Sequence, residues 1–320
     1  YIHANAGSQN DIYKDKDFNI DTINVSGKKI FKNDLIINER QFLIIKPGSD
    51  ISFMNDADLI CYGGLSIDGS VDRPIIIKNI DNSSSSILVI NAKFKSVINN
   101  TEFYNLSEYE DNEWINTSAI TFYESDVSIN NTKFNKNIKG DDYLNIVRTD
   151  SFHIDQSIFK DIKSDAIDID FSNGMISNCS FTNIGNDAID FSGSNVVVDN
   201  VIIKEIGDKA ISAGERSKLY IKNVLIEEAE IGICSKDLST IIGKKIEIND
   251  SQIGLTAFQK KAEFGPSKID LKELEIDNLK IKYLIEDKSV CLANSKIISN
   301  SSIKKIKNIL YGVEYGKASK

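Results

Sequence analysis

Short runs of alternating apolar and polar residues return along this chain at a nearly constant interval. Aligning Ala119-Ile120-Thr121-Phe122, Tyr143-Leu144-Asn145-Ile146, Ala166-Ile167-Asp168-Ile169, Ala188-Ile189-Asp190-Phe191, Ala210-Ile211-Ser212-Ala213, Gly232-Ile233-Cys234-Ser235 and Gly254-Leu255-Thr256-Ala257 gives an aliphatic anchor in each. The anchors fall at 120, 144, 167, 189, 211, 233 and 255, in steps of 24, 23, 22, 22, 22 and 22 residues. A second column runs in phase: Phe103, Phe134, Phe159, Phe181, Ile203, Ile226 and Ile248. Three residues before six of these seven stands an amide (Asn100, Asn131, Gln156, Asn178, Asn200, Asn223), and Lys245 breaks the series. A third apolar position recurs at Ile162, Ile184 and Ile206, with Gly185 and Gly207 after the last two.

Period-2 alternation over about four to six residues predicts short strands. The segments between them are too short for a crossover helix. A strand that returns to the same phase every 22 residues must therefore stack on the preceding coil, about 4.8 Å away. The pattern predicts an all-β chain, a right-handed parallel β-helix of about 22 residues per coil with terminal caps. Ile167, Ile189, Ile211 and Ile233 become one interior ladder. The amides become a corner ladder, where Asn tolerates left-handed backbone and stacked amides satisfy one another. A leucine-rich repeat has a similar period, but its L-x-x-L-x-L-x-x-N signature and helical stripe are absent.

Residues 1–40 lack the repeat and are expected to form an N-terminal cap or linker, since open solenoid ends need cover. The β-helix is expected over 41–300, its first coils less regular and punctuated by Gly48, Gly63-Gly64 and Gly69. Residues 301–320 are expected to be a C-terminal cap, with the amphipathic stretch 302–310 closing the end. Two insertions, Glu108–Thr117 with Trp114 and Gln259–Lys268, are positioned to wall a binding groove.

Of 320 residues, 41% are hydrophobic, and the formal net charge is −9, with a pI near 5.0. This balance argues against nucleic acid or an anionic membrane as the main partner. No run of 18 apolar residues occurs, so no membrane span is expected. Cys61, Cys179, Cys234 and Cys291 are far apart and form no CxxC, which points to buried thiols, not a zinc site. The chain begins at Tyr1, so it is expected to be a processed product or part of a longer protein.

If Ile167 and Ile169 face inward, Asp168 and Asp170 face outward. One outward column is then Thr121, Asn145, Asp168, Asp190, Ser212, Cys234 and Thr256. A parallel one holds Tyr123, Asp170, Gly214 and Lys236. Asp142, Asp165, Asp187 and Lys209 stand at the preceding corner, and Arg148, Glu215 and Asp237 at the following one. Ionisable groups thus gather on one face. Stacked carboxylates repel, so one pKa rises or a cation bridges them, and oxygen-rich clusters favour calcium. Asp168, Asp170 and Asp190 are the candidate calcium ligands. Asp168 and Asp190 are the candidate catalytic pair for glycoside cleavage. Uronate elimination instead requires a base and a cation beside the substrate carboxylate, with Lys209, Lys236 and Arg148 as candidates. Tyr143, Asn145, Arg148, Asp187, Glu215 and Asp237 are the candidate substrate-binding residues, with Tyr143 and Tyr123 available to stack on sugars. The same corner residues also serve simply as turn caps and ion pairs in a non-catalytic stalk or docking module.

The anchors Asp165-Ala166-Ile167-Asp168-Ile169-Asp170, Asn186-Asp187-Ala188-Ile189-Asp190-Phe191 and Gly207-Asp208-Lys209-Ala210-Ile211-Ser212-Ala213-Gly214-Glu215 resemble β-helix repeats of the pectin-lyase-like superfamily over about 42–300. More narrowly, Ile120-Thr121-Phe122-Tyr123-Glu124-Ser125, Ser235-Lys236-Asp237-Leu238-Ser239 and the end Leu310-Tyr311-Gly312-Val313-Glu314-Tyr315-Gly316-Lys317 resemble the β-helix region of bacterial proteins carrying a spore-coat CotH-like kinase module. The resemblance implies the fold, a polysaccharide partner or other modules of a larger parent protein, and a secreted or cell-envelope setting. It leaves open whether the chain is an enzyme, since the superfamily includes lyases, hydrolases, epimerases and stalks. Polygalacturonase-like members pair aspartates with a His and an R-x-K. Here Asp141-Asp142 is similar, but no R-x-K follows in register and the only histidines are His3 and His153.

Overall fold

The computed structural model describes residues 20–111 and 114–311. Residues 1–19 and 312–320, with His3 and most of the C-terminal segment that carried the narrower resemblance, lie outside the described residues. The chain is a parallel β-solenoid of about 12 turns, roughly 23 residues each, with one short helix. Each turn contributes a strand to three walls. The first wall includes Ser118–Tyr123, Asp142–Val147, Asp165–Asp170 and Ile189–Ser192. The second includes Phe152–Asp155 and Asn173–Ser177, and the third Ile158–Ile162 and Ser180–Ile184.

Register follows the sequence columns. Leu144 pairs with Ile167, Ile167 with Ile189, Ile189 with Ile211 and Ile211 with Ile233. All five are fully buried, and each such side chain contributes roughly 1.5–3 kcal/mol on leaving water. In the third wall Phe103, Phe134, Phe159 and Phe181 stack face to face, with centroids 5.3, 4.4 and 4.8 Å apart.

The corners turn through left-handed backbone. The amide column does so throughout, from Asn100 (φ 45°) to Asn223 (φ 52°), and Lys245 keeps the conformation (φ 57°) without the amide. The amide ladder itself is partial. Asn131 donates to Asn100 and Asn200 to Asn178, each at 2.7 Å, while Asn178 also donates to Asp155 and Asn223 donates to Asp199. A different ladder is more regular. The hydroxyls of Ser172, Ser194, Ser217 and Ser239 accept the backbone N–H of Thr149, Ser172, Ser194 and Ser217, at 2.9–3.1 Å. These residues are buried, so the ladder satisfies amide donors that the bend leaves without strand partners.

Two expected boundaries move. Asp21–Val25, Lys28–Phe31 and Leu35–Ile37 pair in parallel with Gln41–Ile45, Asp50–Phe53 and Leu59–Cys61, so the first coil begins at 21, not 41. The helix Ile303–Tyr311 does not close the C-terminal end. Its Ile306 and Leu310 pack on the outer side of the first wall, against Ile231, Cys234, Ile253, Phe258 and Leu284. Apolar residues on that outward face give the helix something to bury. All four cysteines are free and buried.

Candidate functional site

The outer face of the first wall assembles as one column: Thr121 beside Asn145, then Asp168, Asp190, Ser212, Cys234 and Thr256. Asp170 lies beside Val147 and Ser192. Oxygens of Asp165, Asp187 and Asp190 lie within 4.8 Å of one another, so these three could share a cation. The expected calcium trio was Asp168, Asp170 and Asp190. Of these only Asp190 joins the cluster, because the corner turns Asp165 and Asp187 towards it.

Burial dominates the electrostatics. It raises the carboxyl of Asp168 well above its ordinary value, reinforced by Asp142, Asp170 and Asp190. Asn145 Nδ2 donates to Asp168 at 3.1 Å. Burial, then Asp187, push Asp165 up to about 9. Asp142 rises to about 7 through burial, against the hydroxyl it accepts from Ser118. Asp170 rises to about 6 through burial, then Asp190 and Glu215, with Lys261 opposing.

The lysines are bound tightly. Lys209 Nζ lies 3.1 Å from both Asp187 oxygens and 2.7 Å from Asp208. Burial works against its charge, but Asp187 and Asp208 outweigh burial and hold it above the ordinary lysine range. Lys236 Nζ lies 3.7 Å from Asp190, and both Lys236 and Lys209 are largely buried. Lys236 is likewise raised, the carboxylates outweighing burial. A lysine base must be neutral, so neither fits that expected role.

Other expected residues divide. Tyr143 is fully buried, its ring edge-on to Phe134 at 5.7 Å, so it offers no surface to a sugar. The wall bends there, and two consecutive residues are buried in the coils from Ala119-Ile120 to Gly254-Leu255. Glu215 pairs with Lys261. Asp237 caps the second insertion, accepting the N–H of Lys260 and Lys261 at 2.7 Å. Arg148 is exposed, 3.7 Å from Glu124 and 3.1 Å from the Tyr123 hydroxyl. His153 sits on the second wall, away from this face, 3.4 Å from Ser177.

Both insertions reach the first wall, from opposite edges and opposite ends. Asn116 donates to Thr121 at 2.8 Å. Lys260 is lowered by burial and by the nearby charges of Lys236 and Lys209. Sequence reasoning placed Lys260 on a wall of the face but gave it no role. Tyr311, edge-on to Phe258 at 6.4 Å, was not foreseen there either.

Residues 118–262 match the family described as right handed beta helix region. Among solved structures, the chain is similar to the catalytic domain of a GH87 alpha-1,3-glucanase in complex with nigerose. Identity is 11% and the TM-score 0.58, over 88% of this chain and 64% of that one. It is also similar to the enzymatically active domain of tailspike protein 2 of bacteriophage CBA120 (11% identity, TM-score 0.49, 85% and 43% covered). Pectate lyase Pel9A is a further likeness (12% identity, TM-score 0.39, 80% of each chain). No curated protein sequence matches. The chain therefore spans less than two thirds of the glucanase domain's length. The fold is the right-handed parallel β-helix.

Proposed function

We propose that the outer face of the first wall binds a polysaccharide and cleaves it by acid–base chemistry between aspartates. The observation that carries this reading is the convergence of Asp165, Asp187 and Asp190 within 4.8 Å, outside the solenoid. Glycoside cleavage needs one carboxyl that keeps its proton beside one that is charged. Asp165 and Asp168, held protonated by burial, are the candidate donors to the glycosidic oxygen. Asp190, ion-paired with Lys236, is the carboxylate. Inverting enzymes need roughly 6.5–9.5 Å between carboxyls to admit a water. The oxygens of Asp165 and Asp190 lie within 4.8 Å of each other, closer than this, which favours direct attack by Asp190 on the sugar.

Similarity to a nigerose-bound glucanase domain supports a saccharide ligand. Our reading places such a substrate, and the protein with it, at the cell envelope or outside it. On the narrower resemblance to CotH-associated proteins, the solenoid would be one module of a longer chain. Elimination is the second reading, because Lys260 is lowered and would be its base. Calcium on Asp165, Asp187 and Asp190 would serve that route by neutralising a substrate carboxylate.

The test is incubation with a panel of neutral glucans and uronans, scored for new reducing ends and for ultraviolet-absorbing unsaturated ends. Reducing ends without unsaturation are expected. Asp168→Asn and Asp190→Asn are each expected to lower the rate at least about a hundredfold without loss of β-sheet circular dichroism. Calcium-dependent unsaturated product would replace this reading with elimination. Binding without product would reduce the face to a carbohydrate-binding module, and neither binding nor product would favour the stalk.

A further inference from the structure

Phe171 is a large aromatic at a solvent-facing corner. It is 54% exposed and adopts left-handed backbone, φ 50°. The same corner on other coils is held by Asn91, Glu124, Arg148, Gly193, Glu215 and Asp237, also with positive φ. Those are mostly polar or glycine, types that suit a solvent-facing turn, and Asn, Asp and Gly tolerate this backbone best. Phe makes no polar side-chain contact here; it packs on Gly193 and leaves about half of its surface in solvent. A strained, exposed apolar residue kept in place is a pointer to function.

The ring is seated. An added Cβ at Gly193, one coil on, would lie 2.5 Å and 2.7 Å from its Cδ1 and Cε1 atoms. The missing side chain at 193 is what lets the ring lie along the axis. The row continues in the other direction, where Arg148 N–H donates to Asp170 O at 2.8 Å and the Arg148 guanidinium lies 6.0 Å from the Tyr123 ring centroid. Asp170 points out from the residue immediately before the ring. The second insertion folds down the same edge. Its Lys261 pairs with Glu215 and acts on Asp170, and Phe171 beside it remains 54% exposed.

We propose that Phe171 is a stacking platform that seats one pyranose ring of the polysaccharide at the edge of the acidic face. The ligand class is a sugar with one face of C–H bonds, whose partial positive charge meets the negative face of the aromatic ring. Arg148 and Tyr123 extend the row to the next sugars. The inference rests on the saccharide reading above and deepens it by placing one sugar at the end of the strand that carries Asp168 and Asp170.

The test uses the full chain and three variants: Phe171→Ala, Phe171→Trp and Phe171→Gly. Calorimetry against the oligosaccharides bound by the wild type should show Phe171→Ala weakened roughly three- to tenfold. Phe171→Trp should restore binding, and its fluorescence should change on adding sugar. Phe171→Gly should melt no lower than the wild type, because it relieves the backbone strain. Equal affinity of Phe171→Ala and wild type overturns the platform while leaving the saccharide reading intact. A lower melting temperature for Phe171→Gly also overturns it, by making the ring structural. A wild-type chain that binds no glycan overturns the platform together with the reading beneath it.

Discussion

Burial drives Asp58 and Asp142 up to about 7, Asp165 to about 9 and Asp170 to about 6, from an ordinary 3.8. A carboxyl raised in the fold keeps a proton that the unfolded chain would release. Its stabilising contribution is complete below about pH 4 and is lost as pH rises towards about 9. Asp155 and Glu102, which are lowered, act oppositely and lose theirs only in acid. The chain is therefore expected to melt higher at pH 5 than at pH 8.5, and Asp165→Asn should flatten that slope. Calorimetric melting across this range is the check, and a melting temperature that rises with pH would contradict it. The neighbours in this cluster were legible, because a constant repeat length makes Asp168 and Asp190 adjacent rungs. Their burial was not, because it comes from Lys209 and Lys236 folding over the face and from an insertion whose path no periodicity sets. Tyr143 was misplaced for a definable reason. Strict alternation sends it outward, but the bend turns both Tyr143 and Leu144 inward, as it does Ala166 and Ile167. In the other aligned coils the extra inward residue is Ala119, Ala166, Ala188, Ala210, Gly232 or Gly254.

The corners, more than the strands, show how an element of this solenoid is held. Ser194 Oγ accepts the N–H of Ser172 at 3.0 Å and donates to the carbonyl of Ile169 at 2.9 Å. Ser194→Ala leaves that buried amide without a partner, which costs about 1–3 kcal/mol. Denaturant unfolding is expected to show this loss, while Asn200→Gly, which keeps the left-handed backbone of an exposed corner, should lie within about 0.5 kcal/mol of wild type. Equal effects at the two corners would mean that the hydroxyl ladder carries no special weight. The apolar ladders were plain from sequence because Ile and Phe repeat as residue types. The hydroxyl ladder keeps the same spacing through Ser125, Thr149, Ser172, Ser194, Ser217 and Ser239. It passed unnoticed because serine is common at turns whether or not it is buried. The amide column misled in the opposite direction: its backbone conformation repeats faithfully, but its side chains find aspartates as often as each other.

Across the whole molecule, the helix Ile303–Tyr311 decides where the acidic face ends. Stacked repeats bury only their neighbours, so an apolar outward patch at Ile231, Cys234, Phe258 and Leu284 needs a cover from elsewhere in the chain. Ile306, fully buried, and Leu310, one turn on, supply it, with Ser302 capping the helix start through a 3.4 Å bond from the Lys305 N–H. Amphipathic spacing made this helix readable. Its docking place was not, since an end and a side wall offer the same kind of surface to such a stripe. The distinction is measurable through sulfur. Cys61, Cys179 and Cys291 belong to the interior core, whereas Cys234 belongs to the cluster beneath the helix. The folded wild type, with every thiol buried, is expected to react with none of a thiol reagent in the absence of denaturant. Ile306→Asp should detach the helix and release one reactive thiol, identified as Cys234 by peptide mapping, while the other three stay protected. Protection of all four, or reaction at Cys291 instead, would mean that the helix covers the end of the solenoid and leaves the acidic face unbounded on that side.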